Sequence, residues 1–198
     1  MFTLDELFSK RNMSQAFAHL ETKRDGCGSD GVPLSELKEY WDLNHERILH
    51  EIEEGIFCPG VVKNFEIVNK AGKRRVVSQM CSIDRLICRL LAQKLERYIA
   101  PVFLPHSYAY QEGKGVAEAV QQARLYIEQQ DNFVAVLDIK DYFDDISQEL
   151  LMELLREKIE DENILILSED SVCIYQVETL KYTKKEQIGI VENFSFIL

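Results

Sequence analysis

The apolar run Phe133-Val-Ala-Val-Leu137, closed by Asp138, constrains this chain more than any other feature. Five consecutive apolar residues suit a central strand buried on both faces, because a strand with one wetted face would alternate with polar residues. Such a strand needs covering layers, and the chain has material for them. Of its 198 residues, 46% are hydrophobic and 29% charged, enough for one domain or one domain with an appendage. That composition excludes a disordered low-complexity chain or a collagenous repeat, and no run of about 20 apolar residues offers a membrane span. The opening MFTLDELFSK lacks the apolar core of a signal peptide. Five scattered cysteines without CxxC spacing (Cys27, Cys58, Cys81, Cys88, Cys173) read as reduced thiols, so a cytoplasmic protein away from the membrane is expected.

Local signals divide the remainder. Thr3-Leu-Asp-Glu6 and Asn12-Met-Ser-Gln15 have the form of capping boxes and predict two short helices before Lys23. Asp25-Gly-Cys-Gly-Ser-Asp-Gly31 predicts a turn. Leu34, Leu37, Tyr40, Trp41, Ile48 and Ile52 recur at helical spacing until Gly55 and Pro59. The period then changes, and residues 61–68 and 75–77 predict a basic hairpin about the turn Asn69-Lys-Ala-Gly72. Asp84 is expected to open a long helix ending before Pro101 and Pro105, and residues 116–128 predict another. Ser147 can cap a helix whose Leu150, Leu151, Leu154 and Leu155 face a core. Residues 164–167 and 171–177 read as β-like segments about an acidic turn, before the apolar end Phe194-Ser-Phe-Ile-Leu198.

The net charge of −11 argues against a nucleic-acid partner until its distribution is considered. Residues 60–114 hold ten Lys and Arg against four acids, a local charge of +6. Binding to phosphates responds to local potential, although a solvated charged face has the same composition. Asp138 carries the other chemical signal. An acid at the end of a buried strand can give a carboxylate oxygen to a hard cation, with a neighbouring backbone carbonyl beside it. A strand-end acid is also a common cap or turn residue, and Asp144 and Asp145 could simply lead into the next helix. His19, His45, His50 and His106 show no ligand spacing for zinc.

Six blocks read in order change the weight of these signals: Gly28-Ser-Asp-Gly31, Ile56-Phe-Cys-Pro59, Lys70-Ala-Gly-Lys-Arg-Arg75, Asp84-Arg85, Ser107-Tyr-Ala-Tyr110 with Gly113-Lys-Gly115, and Asp138-Ile-Lys-Asp-Tyr-Phe-Asp144. In order and spacing, residues 1–161 resemble the N-terminal half of group II intron-type reverse transcriptases. The resemblance implies a mixed α+β fold: a helical and β-hairpin fingers region over residues 1–115, a partial polymerase palm over 116–161, and a divergent, β-rich tail over 162–198. It implies RNA-directed DNA polymerisation with magnesium, an RNA template and a DNA primer. Asp138 would be the first metal-binding aspartate, sharing the ion with the Ile139 carbonyl. Phe143 would lie beneath the incoming sugar, and Lys73 and Arg75 would hold the triphosphate. Tyr108 and Tyr110 would lie in a loop beside the nucleotide, with Lys114 nearby. Lys63, Lys70 and Arg74 would add contacts to nucleic acid. Phosphoryl transfer needs these types, since positioned cations stabilise the attacking and leaving oxygens.

Departures from the family pattern bear on activity. Gln111 stands where the loop usually carries arginine. The second half of the metal site, a pair of adjacent aspartates after an aromatic, has no counterpart beyond Asp161, and Glu169-Asp170 lacks that context. A fragment inactive on its own is expected. Glu169-Asp-Ser-Val-Cys-Ile-Tyr175, Lys181-Tyr-Thr-Lys-Lys-Glu-Gln-Ile-Gly189 and the apolar end are similar to the C-terminal end of CRISPR-associated Cas2 proteins. That similarity implies an edge strand able to pair with a Cas1- or Cas2-type partner or a second copy. The alternative function is accordingly a nucleic-acid-binding or CRISPR-adaptation adaptor module.

Overall fold

A computed structural model describes residues 2–22, 26–68, 72, 74–111, 113–129, 133–139 and 146–176. The fold is mixed α+β, as expected: seven α-helices and one two-stranded antiparallel sheet among the described residues. It divides into two compact units, residues 1–94 with 144–183, and residues 95–143 with 184–198.

The first unit opens with α1 (Leu4–Leu7) and α2 (Lys10–Glu21). Thr3 caps α1 by accepting the Glu6 N–H, as its sequence pattern predicts. The second predicted cap is corrected. Asn12 lies inside α2 at 1% exposure, and Ser9 precedes the helix. Asn12 Nδ2 donates to the Leu7 carbonyl at 2.8 Å and the Leu90 carbonyl at 3.3 Å, while Gln93 Nε2 donates to Asn12 Oδ1 at 2.9 Å. Tertiary partners inside the core thus claim a side chain that local pattern assigned to a helix end.

Helix α3 (Leu37–Glu53) buries Leu37, Trp41, Ile48 and Ile52, and the Trp41 ring stacks on Phe8 with centroids 5.7 Å apart. Gly55, at φ +67°, turns the chain out of the helix while the Ile56 and Phe57 amides donate back to the Glu51 carbonyl. Strands β1 (Lys63–Val68) and β2 (Arg74–Gln79) form the expected hairpin, in register from Lys63 opposite Gln79 to Val68 opposite Arg74. Helix α4 (Ser82–Ile99) follows, burying Leu86, Ile87, Leu90 and Leu91.

Two later helices complete this unit. Ser147 caps α6 (Gln148–Arg156) by accepting the Leu150 N–H at 3.2 Å. Met152 and Leu155 are its buried residues, whereas Leu150 and Leu154, expected inside, are about half exposed. The β-rich tail is also corrected: residues 162–176 form α7 (Glu162–Gln176). Asp161 Oδ1 accepts the Asn163 and Ile164 amides, and Ile164, Leu165, Leu167 and Ser168 are buried, which is a helical period. A short apolar run carries little periodicity, so the capping aspartate and the packing surface decide its state. The remaining tail, including the expected pairing strand, lies outside the described residues.

The second unit holds the end of α4, a short 3₁₀ turn (Ala100–Val102) and α5 (Val116–Glu128). The Tyr126 ring meets His106 edge-on at 6.0 Å. Its largest departure from expectation is residues 133–139, which form no strand and are exposed throughout, Phe133 at 97% and Val136 at 87%. A strand buried on both faces exists only with neighbours on both edges and layers above and below. Among the described residues the sole sheet is the β1–β2 hairpin. No helix among them is long and apolar enough to cross a membrane.

Candidate nucleic-acid interface

The β1–β2 hairpin is an arm with little core of its own. All six β1 residues are exposed, as are Val76 and Val77 on β2. Its apolar residues therefore do not fix where it points, and its base must. There the loop around Gly28-Ser-Asp-Gly31 grips both strands. Ser29 Oγ donates to the Val61 carbonyl, the Ser29 amide to the Met80 carbonyl at 3.1 Å, Lys63 Nζ to the Ser29 carbonyl, and Gln79 Nε2 to the Cys27 carbonyl. Asp30 ties the same loop to α4, accepting the Ser82 amide at 3.2 Å and the Val32 amide at 3.1 Å.

Asp84 completes this base. It sits in the first turn of α4 at 2% exposure, and its Oδ2 accepts the Gly60 N–H at 2.9 Å, three residues before β1. Its Oδ1 is buried without a partner. Burial, with the nearby Asp30 charge adding to it, pushes the carboxyl above its ordinary range, against the pull of the Gly60 N–H. Burial raises the neighbouring Cys81 thiol too, although the Ser29 hydroxyl at 3.1 Å opposes the shift.

The expected site residues are placed unevenly. Lys63 is engaged at the hairpin base, and Arg74 pairs with Glu66 at 3.2 Å, both side chains well exposed. Arg75 occupies a β2 position opposite Ile67. Lys70, Lys73 and Phe143 lie outside the described residues. In the second unit, Lys114 Nζ donates to the Pro105 carbonyl at 3.1 Å and the Ser107 carbonyl at 3.3 Å, and stands 5.8 Å from the centre of the buried Tyr108 ring. Gln111 Nε2 donates to the same Ser107 carbonyl at 2.8 Å. The loop's ammonium and the amide in the arginine position thus brace the loop itself. Tyr110 is 84% exposed at φ 56°, a left-handed conformation that costs an ordinary residue about 1 kcal/mol or more.

Asp138 and Ile139 stand in the exposed segment 133–139. Among the described residues no group of three His, Cys, Asp or Glu side chains comes together to hold a metal. One solvated carboxylate and an adjacent carbonyl fall short of the paired-ion clamp used in in-line displacement at phosphorus, so the described residues do not by themselves fit the implied magnesium.

Sequence reading missed the hairpin base. Its signal was present: three of the six blocks, Gly28-Ser-Asp-Gly31, the segment ending at Pro59 before Gly60, and Asp84-Arg85, converge there, although their chemistry suggested only turns and caps.

The reverse transcriptase (RNA-dependent DNA polymerase) family matches residues 63–187, more than half of the chain. The chain belongs to this family. Protein YkfC of Escherichia coli strain K12 is 24% identical to it over 144 residues, covering 71% of this chain and 38% of YkfC. The chain thus spans well under half the length of that relative. The reverse transcriptase match opens on the first residue of β1 and runs beyond Asp161, where the resemblance was expected to end, through all of α7. Residues 169–175, the first block of the similarity to Cas2, are helix in α7, and the other blocks lie outside the described residues.

Proposed function

We propose that this chain is the fingers region and early palm of an RNA-directed DNA polymerase of group II intron or CRISPR-associated type, binding RNA template and DNA primer through its basic hairpin. The observation that carries the reading is the family match beginning at Lys63, on an exposed arm whose base is fixed by buried hydrogen bonds. In this reading Lys63, Lys70, Lys73, Arg74 and Arg75 supply the cations toward phosphates, Tyr110 offers an exposed ring, and Asp138 with the Ile139 carbonyl would contribute only part of a magnesium site. Phe143 lies beneath the sugar in this reading.

Binding and catalysis separate here. Among the described residues Asp138 has no second acidic ligand beside it, and in this reading the chain by itself grips nucleic acid without extending a primer. Two measurements test this. Gel shift of an RNA–DNA primer-template should weaken steeply as salt rises, as phosphate contacts require. Salt-insensitive or undetectable binding refutes the interface. Primer extension with magnesium should be absent; incorporation that disappears on Asp138→Ala would refute the inactivity.

A further inference from the structure

We infer that Asp84 is a positioning residue for the basic hairpin: by accepting the Gly60 N–H from a buried site on α4, it sets the point and direction from which β1 leaves the core. The inference rests on the reading of the hairpin as the nucleic-acid-binding arm and adds the residue that aims it.

Four observations converge. First, the arm is exposed on β1 throughout and has no apolar footing to orient it, so its base carries the orientation. Second, of the six buried polar or charged residues among the described residues, Ser29, Ser82 and Asp84 all lie at this base, and Asp84 alone among the six carries an ionisable carboxyl. Burying a carboxyl is costly, and its ordinary alternative at this place, capping its own helix, is already filled: Asp30 accepts the Ser82 amide there. Third, Asp84 reaches across 24 positions of sequence to a single backbone N–H, at the residue where the chain turns toward β1. Fourth, Gly60 lies where a side chain would not fit. A Cβ there would collide with Cys81 Sγ and stand 3.3 Å from Cys81 Cβ and 3.4 Å from Asp84 Oδ2. The close approach that the hydrogen bond needs is therefore built into both partners.

The remaining contacts at the base restrain other atoms. Ser29 holds Val61 and Met80, Lys63 holds Ser29, and Asp30 holds Ser82 and Val32. None of these replaces the restraint on Gly60. Loss of the Asp84 carboxylate would leave the loop attached to the strands and β2 joined to α4 through Met80 and Cys81. It would remove the hydrogen bond that ties Gly60, on the β1 side, to the helix, leaving there the longer contact of Cys81 Sγ with the Val61 carbonyl at 3.9 Å.

The test compares the wild-type chain with Asp84→Ala and Asp84→Asn, since an asparagine oxygen can still accept the Gly60 N–H. Hydrogen exchange, resolved by residue or short peptide, should speed up at Gly60 and through β1 by about tenfold or more in Asp84→Ala. Exchange in α2 and α3 should not change, and Asp84→Asn should restore protection to within about threefold of wild type. Affinity for a defined RNA–DNA duplex, read by fluorescence anisotropy, should fall about fivefold or more in Asp84→Ala and recover in Asp84→Asn. Unchanged exchange across β1 in Asp84→Ala, equal acceleration in α2 and α3, or an asparagine variant no better than alanine would each overturn the inference. A wild-type chain that fails to bind the duplex refutes the nucleic-acid reading instead, and the exchange measurement still decides the role of Asp84.

Discussion

Gly60→Ala should be among the most damaging single-methyl changes in this chain, and Cys81→Ala should relieve it. The added Cβ meets Cys81 Sγ well inside van der Waals contact, with Cys81 Cβ at 3.3 Å and Asp84 Oδ2 at 3.4 Å. The backbone cannot easily retreat, because the Gly60 amide is held by Asp84 at 2.9 Å and the Val61 carbonyl by Ser29 Oγ. Overpacking of this kind costs about 1–3 kcal/mol. Any shift that relieves it gives up a hydrogen bond to a charged group, worth about 1.5–3 kcal/mol. A net loss of about 2–4 kcal/mol follows, which at a urea m-value of about 1–3 kcal/mol/M moves the unfolding midpoint by about a molar or more. Cys81→Ala alone removes a small buried group at about 1–2 kcal/mol. In that background the sulfur is gone, and Gly60→Ala should cost under about 1 kcal/mol, giving a favourable coupling of about 1–3 kcal/mol. Urea unfolding of the four proteins followed by far-UV circular dichroism measures the cycle. Additivity within about 0.5 kcal/mol would refute the packing argument, because residues in contact do not add.

Asn12→Ala should destabilise by about 1–3 kcal/mol in the same assay, since it removes the buried donor to the Leu7 and Leu90 carbonyls and one of the two acceptors of the Gln93 amide; a loss under about 0.5 kcal/mol would contradict that network. Asp84 predicts a pH dependence. Its folded pKa is raised above the ordinary 3.8, so proton-linked stability is complete below about that pH and is lost as pH rises through the folded value. Asparagine carries no such proton, and the stability of Asp84→Asn relative to wild type should improve as pH rises from about 3.8 through the folded value and level off above it; a flat difference would exclude the raised value. Alkylation followed by mass spectrometry should label the exposed Cys27 and Cys58 quickly. Cys81, buried and raised by burial, and Cys88, half-buried and pushed up to about 11, should react far more slowly, and equal rates would refute the raised thiols.

What sequence alone determined about this protein is what neighbours along the chain decide. The caps at Thr3 and Ser147, the apolar stripe from Leu37 to Ile52, the stop at Gly55 and the hairpin about Gly72 all follow from contacts within a few residues, and all are present. Four of the six ordered blocks, from Lys70 onward, fall within the residues that match the reverse transcriptase family. Tertiary structure decided the rest. Residues 164–167 and 171–177 read as strand, whereas Asp161 and a buried face selected helix over residues 162–176. Asn12 and Asp84 read as caps until distant partners, Leu90 and Gly60, claimed their side chains. Residues 133–137 had the composition of a central strand, yet pairing is a property of two edges, and no strand among the described residues pairs with them. A period can be written into one segment; burial of a polar atom needs a partner that folding brings from elsewhere in the chain.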